Sequence, residues 1–336
     1  MALFSQDFGI DLGTYYTMIA EEGVLLDRAP TVAAIAIDEQ KIVEFGQAAK
    51  DMYGRVPDSL EIAYPLQHGV IADYEVAMKL LERMIKKVTG PIRLFHPRIM
   101  VTVPYGVTSV ESRAVQEAVL EAGAREVFLI PQPLAAAIGI DLPINTPTGN
   151  MIINMGGGAT QAAVLAMYGI VSAGTLRKGG ADLDDAIATY VRRKYGLVIA
   201  QPTAERIKLE IGAAVPMDSK SGIEVQGQDQ VTGLPQPLTL NTDEIVEALQ
   251  PPLNEVVEMT RKVLEKTPPE LVSDIIDRGI ALSGGSALLP GMEKLLTKEL
   301  GVPTYLVDNP TTCVVEGASR AFAPGIFPKI RRSLIT

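Results

Sequence analysis

Apolar positions in this chain fall into two regimes: short runs cut by turn residues, and longer stretches at helical spacing. From residue 8 to 45 the runs are short. They predict strands over 17–21, 24–26, 31–37 and 41–45, with turns at Glu22-Gly23 and Asp38-Glu39-Gln40. Then the period lengthens: Val76, Ala77, Leu80, Leu81, Met84, Ile85 and Val88 recur at intervals of three and four, an amphipathic helix over 75–88. Residues 98–103 read as a buried strand closed by Pro104. Thr108 and Glu111 make a capping box for a helix that Gly123 ends. A strand over 126–130 runs into Gln132-Pro133 and a small-residue helix over 134–139. Strand and helix alternate as in an α/β sheet.

A segment rich in Pro, Thr and Gly, 143–149, resets the pattern and marks the major boundary. A strand over 150–154, a turn at Gly156-Gly157-Gly158 and a strand over 160–167 repeat the strand–turn–strand unit at the chain start. The architecture is therefore expected to be duplicated. Helices follow over 183–195, 204–214 and 243–264. Strand-like residues 222–240 lie between the last two, with turns around Gly227 and Gly233-Leu234-Pro235. A third glycine turn, Ser283-Gly284-Gly285-Ser286, follows a short apolar strand and leads to Gly291 and a helix over 292–299. A last helix covers 316–322.

Composition removes function classes rather than adding them. With 336 residues the chain can build about two domains with sizeable cores. A net charge of −10 and the lack of an extended Lys/Arg block argue against general nucleic-acid binding, which rests on clustered phosphate neutralisation. One cysteine, Cys313, leaves no disulfide framework or thiolate cluster, and fits a reducing compartment. His68 and His96 are too few and too scattered for a zinc site. Nothing near the start reads as a signal peptide, and no run of about 20 apolar residues could span a bilayer.

The candidate chemistry lies in the glycine turns. In Phe8-Gly9-Ile10-Asp11-Leu12-Gly13-Thr14, Gly9 and Gly13 lack the Cβ atoms that would hold an anion off the backbone. Asp11 adds a carboxylate suited to hydrated Mg²⁺. By itself this stretch reads either as an ordinary hairpin turn or as a phosphate nest. The turns at 156–160 and 284–286 favour a cleft in which one turn from each half grips phosphates and the third lies against base or ribose.

Together with these turns, the rest of the sequence resembles the actin–Hsp70–sugar kinase superfamily, and within it the MreB family of bacterial actin homologues. The resemblance covers nearly the whole chain. Besides the turns it includes Gly69-Val70-Ile71-Ala72-Asp73-Tyr74, Pro133-Leu134-Ala135-Ala136-Ala137-Ile138-Gly139, Ala204-Glu205-Arg206-Ile207-Lys208-Leu209-Glu210-Ile211-Gly212, Val231-Thr232-Gly233-Leu234-Pro235 and Thr267-Pro268-Pro269-Glu270-Leu271. It implies an α/β, actin-like, duplicated ribonuclease-H-like fold around a nucleotide cleft. Residues 1–32, 66–145 and 315–336 would form the first large subdomain, with 33–65 its small companion. Residues 146–181 and 246–314 would form the second, with 182–245 its small companion. It further implies ATP and Mg²⁺, self-assembly into paired protofilaments, and a cytoplasmic site on the inner face of the cell membrane. Partners would be membrane lipid and the membrane proteins of cell-wall elongation, and the filament would scaffold wall synthesis to set cell shape.

By motif match, Gly13, Thr14, Tyr15, Gly156, Gly157, Gly158 and Thr160 would hold phosphates, and Asp11 and Asn154 the metal. Glu205 and Lys208 would approach ribose and base, unless they are a solvated i,i+3 pair. Gly284, Gly285 and Ser286 would wall the adenine. Gln132 takes the catalytic position, where the family usually has a glutamate. Asn154 stands where aspartate is usual; Ala159 replaces a hydroxyl, Gln161 an acid, and Ser286 a glycine. An amide can orient water but not take its proton, so hydrolysis is expected to be slow or absent. Leu94-Phe95, in a loop bounded by Gly90-Pro91 and Pro97, matches the family's membrane loop. A small-molecule kinase and a chaperone-like ATPase share the superfold and stand as alternatives.

Overall fold

The computed structural model describes residues 6–90, 96–218 and 221–335. Its frame is two five-stranded sheets of identical topology. Numbering only their strands, in chain order, the first sheet holds β1 (Asp7–Leu12), β2 (Tyr16–Glu21), β3 (Val24–Pro30), β4 (Arg98–Val103) and β5 (Glu126–Pro131). The second holds β6 (Asn150–Met155), β7 (Thr160–Ala166), β8 (Gly169–Leu176), β9 (Ile280–Ser283) and β10 (Thr304–Leu306). The orders are β5-β4-β1-β2-β3 and β10-β9-β6-β7-β8. In each sheet the first three strands form an antiparallel meander, and the last two join the first strand in parallel. The duplication expected from the repeated turn is thus carried through both sheets. β6 and β7 are buried at every position, which explains why their sequences show no two-residue alternation.

Two helices, Gln132–Gly139 and Cys313–Arg320, lie between the sheets and fill a core with Met100, Ile130, Ile152, Ala163 and Ala281. Their backbones touch. A Cβ on Gly317 would fall 1.8 Å from the Ala135 carbonyl oxygen, and one on Gly139 would fall 1.9 Å from that of Cys313. The helix Cys313–Arg320 also presses on β1, where a Cβ on Gly9 would lie 2.3 Å from the Ser319 amide nitrogen. Gly9 is therefore a packing glycine inside a strand, correcting its assignment to an anion nest. Asp11 likewise belongs to β1, paired with Met18 and Thr102, and not to the turn.

Each large sheet carries a smaller one. Ala33–Ala36, Lys41–Phe45 and Leu60–Ala63 form a three-stranded sheet beside the helix Gln47–Asp51, and Leu197–Val198, Gly222–Asp229 and Pro235–Asn241 form another beside Gln201–Ile211. The two helices face each other at the mouth of a cleft, where Lys50 and Glu205 pair at 3.3 Å.

Some elements differ from the sequence reading. The strand β8 and the helix Pro269–Arg278 were not anticipated. The third long helix runs unbroken over Thr242–Glu265 although Pro251 and Pro252 lie inside it. Prolines inside a helix remove backbone hydrogen bonds. Here burial of Ile245, Leu249, Leu253, Val256 and Val257 on one face holds the helix together, and Asn241 with Glu244 caps its start. No helix among the described residues is long and apolar enough to cross a membrane.

Candidate functional site: the cleft between the duplicated halves

The turn after β1 and the turn after β6 meet face to face. A Cβ on Gly158 would fall 2.2 Å from Thr14 Oγ1, and one on Gly157 would fall 2.2 Å from Cδ2 of Tyr15. Both turns direct carbonyls into the protein. In the first, Thr31 donates from its hydroxyl to Gly13 O at 2.7 Å and from its amide to Tyr15 O at 3.0 Å. In the second, Gly156 O and Gly157 O accept from Gly180 N at 3.0 Å and Ala181 N at 2.8 Å, at the start of the helix Gly180–Tyr195. The third turn closes on the second. Ser286 Oγ donates to Gly156 O at 2.9 Å, and Gly284, at φ 88°, lies so close to Met155 that a Cβ would meet its carbonyl oxygen at 2.3 Å. Only glycine fits there. Thr160 sits behind the second turn, its hydroxyl donating to Lys178 O at 2.9 Å.

The two halves place equivalent side chains at the ends of β1 and β6, and the side chains differ in charge. Asp11 faces Thr102 on β4, whose hydroxyl donates to its Oδ1 at 2.5 Å. Asn154 faces Ser283 on β9, whose hydroxyl donates to its Oδ1 at 3.2 Å. Asp11 is 8% exposed, and burial pushes its carboxyl above the usual carboxylate range against the pull of Thr102 and Gln132. From Asp11 an amide chain crosses to the other half. Gln132 Nε2 donates to Asp11 Oδ1 at 3.3 Å, Gln161 Nε2 donates to Gln132 Oε1, and the Tyr105 amide donates to Gln161 Oε1 at 2.7 Å. The chain fixes both amides: Gln132 turns its NH₂ to Asp11 and has its carbonyl engaged.

Above the turns a second network spans the cleft. Tyr15 donates its hydroxyl proton to Asp184 Oδ2 at 2.8 Å and accepts from Gln201 Nε2 at 2.8 Å. Lys208 Nζ lies 2.7 Å from Asp184 Oδ1 and donates to Gly180 O at 2.9 Å. The Lys208 ammonium is thus the partner of Oδ1, and Tyr15 that of Oδ2. Burial raises the Asp184 carboxyl, opposed by the Lys208 ammonium and the Tyr15 hydroxyl. Beyond Tyr15 opens a cavity of about 420 Å³, lined among others by Lys50, Arg55, Tyr53, Tyr64, Gln201 and Glu205.

A model of the MreB/Mbl protein family matches residues 5–324 of this sequence. The chain belongs to the MreB/Mbl family. It is 45% identical over 326 residues to the cell shape-determining protein MreB of Escherichia coli strain K12, covering 95% of this chain and 94% of that protein. It is 39% identical over 317 residues to the cell shape-determining protein Mbl of Bacillus subtilis strain 168, covering 94% and 95%. The crystal structure of Spiroplasma citri MreB5 bound to AMPPNP is similar at a TM-score of 0.91 and 30% identity, over 98% of both chains. A MamK double helical filament, at 20% identity and a TM-score of 0.79 over 94% of this chain and 98% of that one, shares the actin-like fold. The small-molecule kinase and chaperone alternatives are not favoured by these matches.

Within this MreB-family fold, Asp11, Gly13, Thr14, Tyr15, Gln132, Asn154, Gly156, Gly157, Gly158, Lys208, Gly284 and Ser286 come together at the cleft floor, while Glu205 lies at its mouth with Lys50. Gly285 borders open space. Leu94 and Phe95 lie outside the described residues. The sequence reading did not single out Thr31, Thr102, Asp184 or Gln201. A signal for Asp184 existed: it shares one helical face with Ile187 and Val191, an acid on an apolar stripe. Thr31 carried none, because its role depends on β3 folding back beside the first turn.

Proposed function

We propose that this MreB-family chain binds ATP·Mg²⁺ in the cleft and assembles into filaments that scaffold cell-wall synthesis. The observation that carries the reading is the pair of facing turns whose carbonyls are drawn inward. Gly156 N is spent on Ala159 O at 2.9 Å, and the helix-start amides of Gly180 and Ala181 hold the second turn's carbonyls, which leaves the other amides of the two turns to meet an anion. The similar MreB5 structures bound to AMPPNP and ADP support it. Gly13, Thr14, Tyr15, Gly156, Gly157, Gly158 and Thr160 belong to the phosphate end, Gly284, Gly285 and Ser286 to the base end, and Glu205 and Lys208 to the wall between.

The donor set at the metal position is one carboxylate, Asp11, with neutral oxygens around it, and among the described residues no group of three or more acidic, His or Cys side chains is arranged to hold a metal ion by itself. That set fits a Mg²⁺ ion that keeps most of its waters and takes further ligands from phosphate. Asp11 would hold it, with Asn154 on the far side, and bound Mg²⁺ would offset phosphate charge. Gln132 can orient a water but cannot deprotonate it, and Gln161 already occupies its carbonyl, so hydrolysis is slow. The deciding experiment is sedimentation of purified protein with Mg·ATP, Mg·ADP and no nucleotide, alongside calorimetric titration. Absence of nucleotide binding would overturn the reading.

Membrane attachment through Leu94 and Phe95 belongs to the same proposal. Charged substitutions at both positions should release filaments from liposomes, and unchanged co-sedimentation would remove this part. Weak anchors gain strength when many subunits share one filament.

A further inference from the structure

Tyr15 stands in an unusual place for a residue of the first turn. Its ring lies on Gly157 of the second turn, where even a Cβ would collide with it. The hydroxyl reaches into the second half, where Asp184 and Gln201 hold it at 2.8 Å each. Its other side lines the cavity of about 420 Å³ at the cleft mouth. The ring is thus the wall between that cavity and the glycine turn. The same contacts hold Lys208, whose ammonium is paired with Asp184 and bonded to Gly180 O.

We propose that Tyr15 is a clasp that sets nucleotide affinity: its side chain competes with the polyphosphate for the face of Gly157 and must leave Asp184 and Gln201 before the ligand seats. This rests on the nucleotide-binding reading above and deepens it: the backbone of Tyr15 belongs to the phosphate end, and only its side chain stands in the way. The ring covers Gly157 on the side to which a Cβ would project, and a phosphate seating on that side must displace it. The binding-competent state is therefore the one with Tyr15 displaced, and apparent affinity falls by the fraction of molecules in that state. The clasp is held by a neutral donor on a carboxylate and by an amide on the same oxygen. Burial and the Asp184 charge keep the hydroxyl protonated, so it remains a donor.

The test is Mg·ATP affinity by calorimetry for wild type, Tyr15→Phe, Gln201→Ala and Tyr15→Ala, with amide hydrogen exchange of residues 156–158 and 180–184 in nucleotide-free protein. Losing a hydrogen bond to a charged group is worth about tenfold. Tyr15→Ala should therefore bind at least about tenfold tighter, with Tyr15→Phe and Gln201→Ala between it and wild type. Exchange at 156–158 should rise in all three variants. Equal affinities, or unchanged exchange, overturn the clasp. Weaker binding by Tyr15→Ala than by wild type also overturns it, making Tyr15 a ligand contact and leaving the nucleotide reading intact. No binding by any form overturns that reading and the clasp with it. If Tyr15→Ala does not fold, as judged by circular dichroism, the other two variants decide.

Discussion

The two halves of this molecule use one topology to present opposite chemistry at one position. β1 ends in Asp11 against Thr102, and β6 ends in Asn154 against Ser283. In each half a hydroxyl from the parallel neighbour donates to the oxygen at the strand end. In the first half the hydroxyl offsets part of the cost of burying a carboxylate, and in the second it satisfies a neutral amide. The turns are complementary in the same way. The first carries bulk in Thr14 and Tyr15, and the second is bare glycine, so the side chains of one occupy the surface of the other. Duplication of the backbone thus does not imply duplication of chemistry: the buried carboxylate lies on one side only, and the amide chain Gln132–Gln161 joins the sides without adding an acid.

The sharpest way to break this asymmetry is to make the amide side acidic. The double change Asn154→Asp with Gln132→Glu should raise steady-state phosphate release by about 10²-fold or more, since a positioned general base contributes roughly 10²–10⁴-fold. A rate equal to wild type would show that the missing carboxylates do not limit hydrolysis.

Removing the charge should be nearly as large. Asp11→Asn should weaken Mg²⁺-dependent ATP binding by roughly 10–100-fold, whereas Asn154→Ala should change it little, as measured by calorimetry. Equal losses would refute the one-sided metal site. The same variant reports on stability. Burial holds the folded pKa of Asp11 above its ordinary 3.8, so the native state binds the proton more tightly than the unfolded chain. The contribution of Asp11 to stability is then fully present below about pH 4 and is lost as pH rises through the folded pKa. Asp11→Asn should abolish that loss and melt higher at neutral pH, as read from thermal melts across pH.

Packing at the equivalent positions Gly9 and Ile152 gives a smaller contrast. Gly9→Ala drives a methyl into the backbone at Ser319 and should cost about 1–3 kcal/mol in denaturant unfolding. Ile152→Val removes one methyl from the inter-sheet core and should cost about 0.5–1.5 kcal/mol. The smallest effect belongs to Ser283→Ala, about 1 kcal/mol with no change in pH profile. Thr102→Val, by contrast, should steepen the profile, because Asp11 loses a donor.

The sequence carried most of the frame because its signals are local. The helix start at Thr108 follows from a capping box, and the helix over 74–89 from its apolar stripe. The repeated strand–turn–strand units at residues 8–20 and 150–167 implied duplication, and the three glycine turns marked the cleft. Gln132 and Asn154 stood out as amides at positions where acids are usual. Tertiary structure decided what depends on neighbours distant in the chain. Gly9 had the look of an anion turn and is a contact with a helix more than 300 residues away. The helix Thr242–Glu265 ran through two prolines because burial of one face outweighs local propensity. The partners of Tyr15 are 169 and 186 residues away, so no local pattern could reveal them. Local backbone preferences are written in adjacent residues. Which side chain fills the space above a glycine is settled only when the two halves of the chain close on each other.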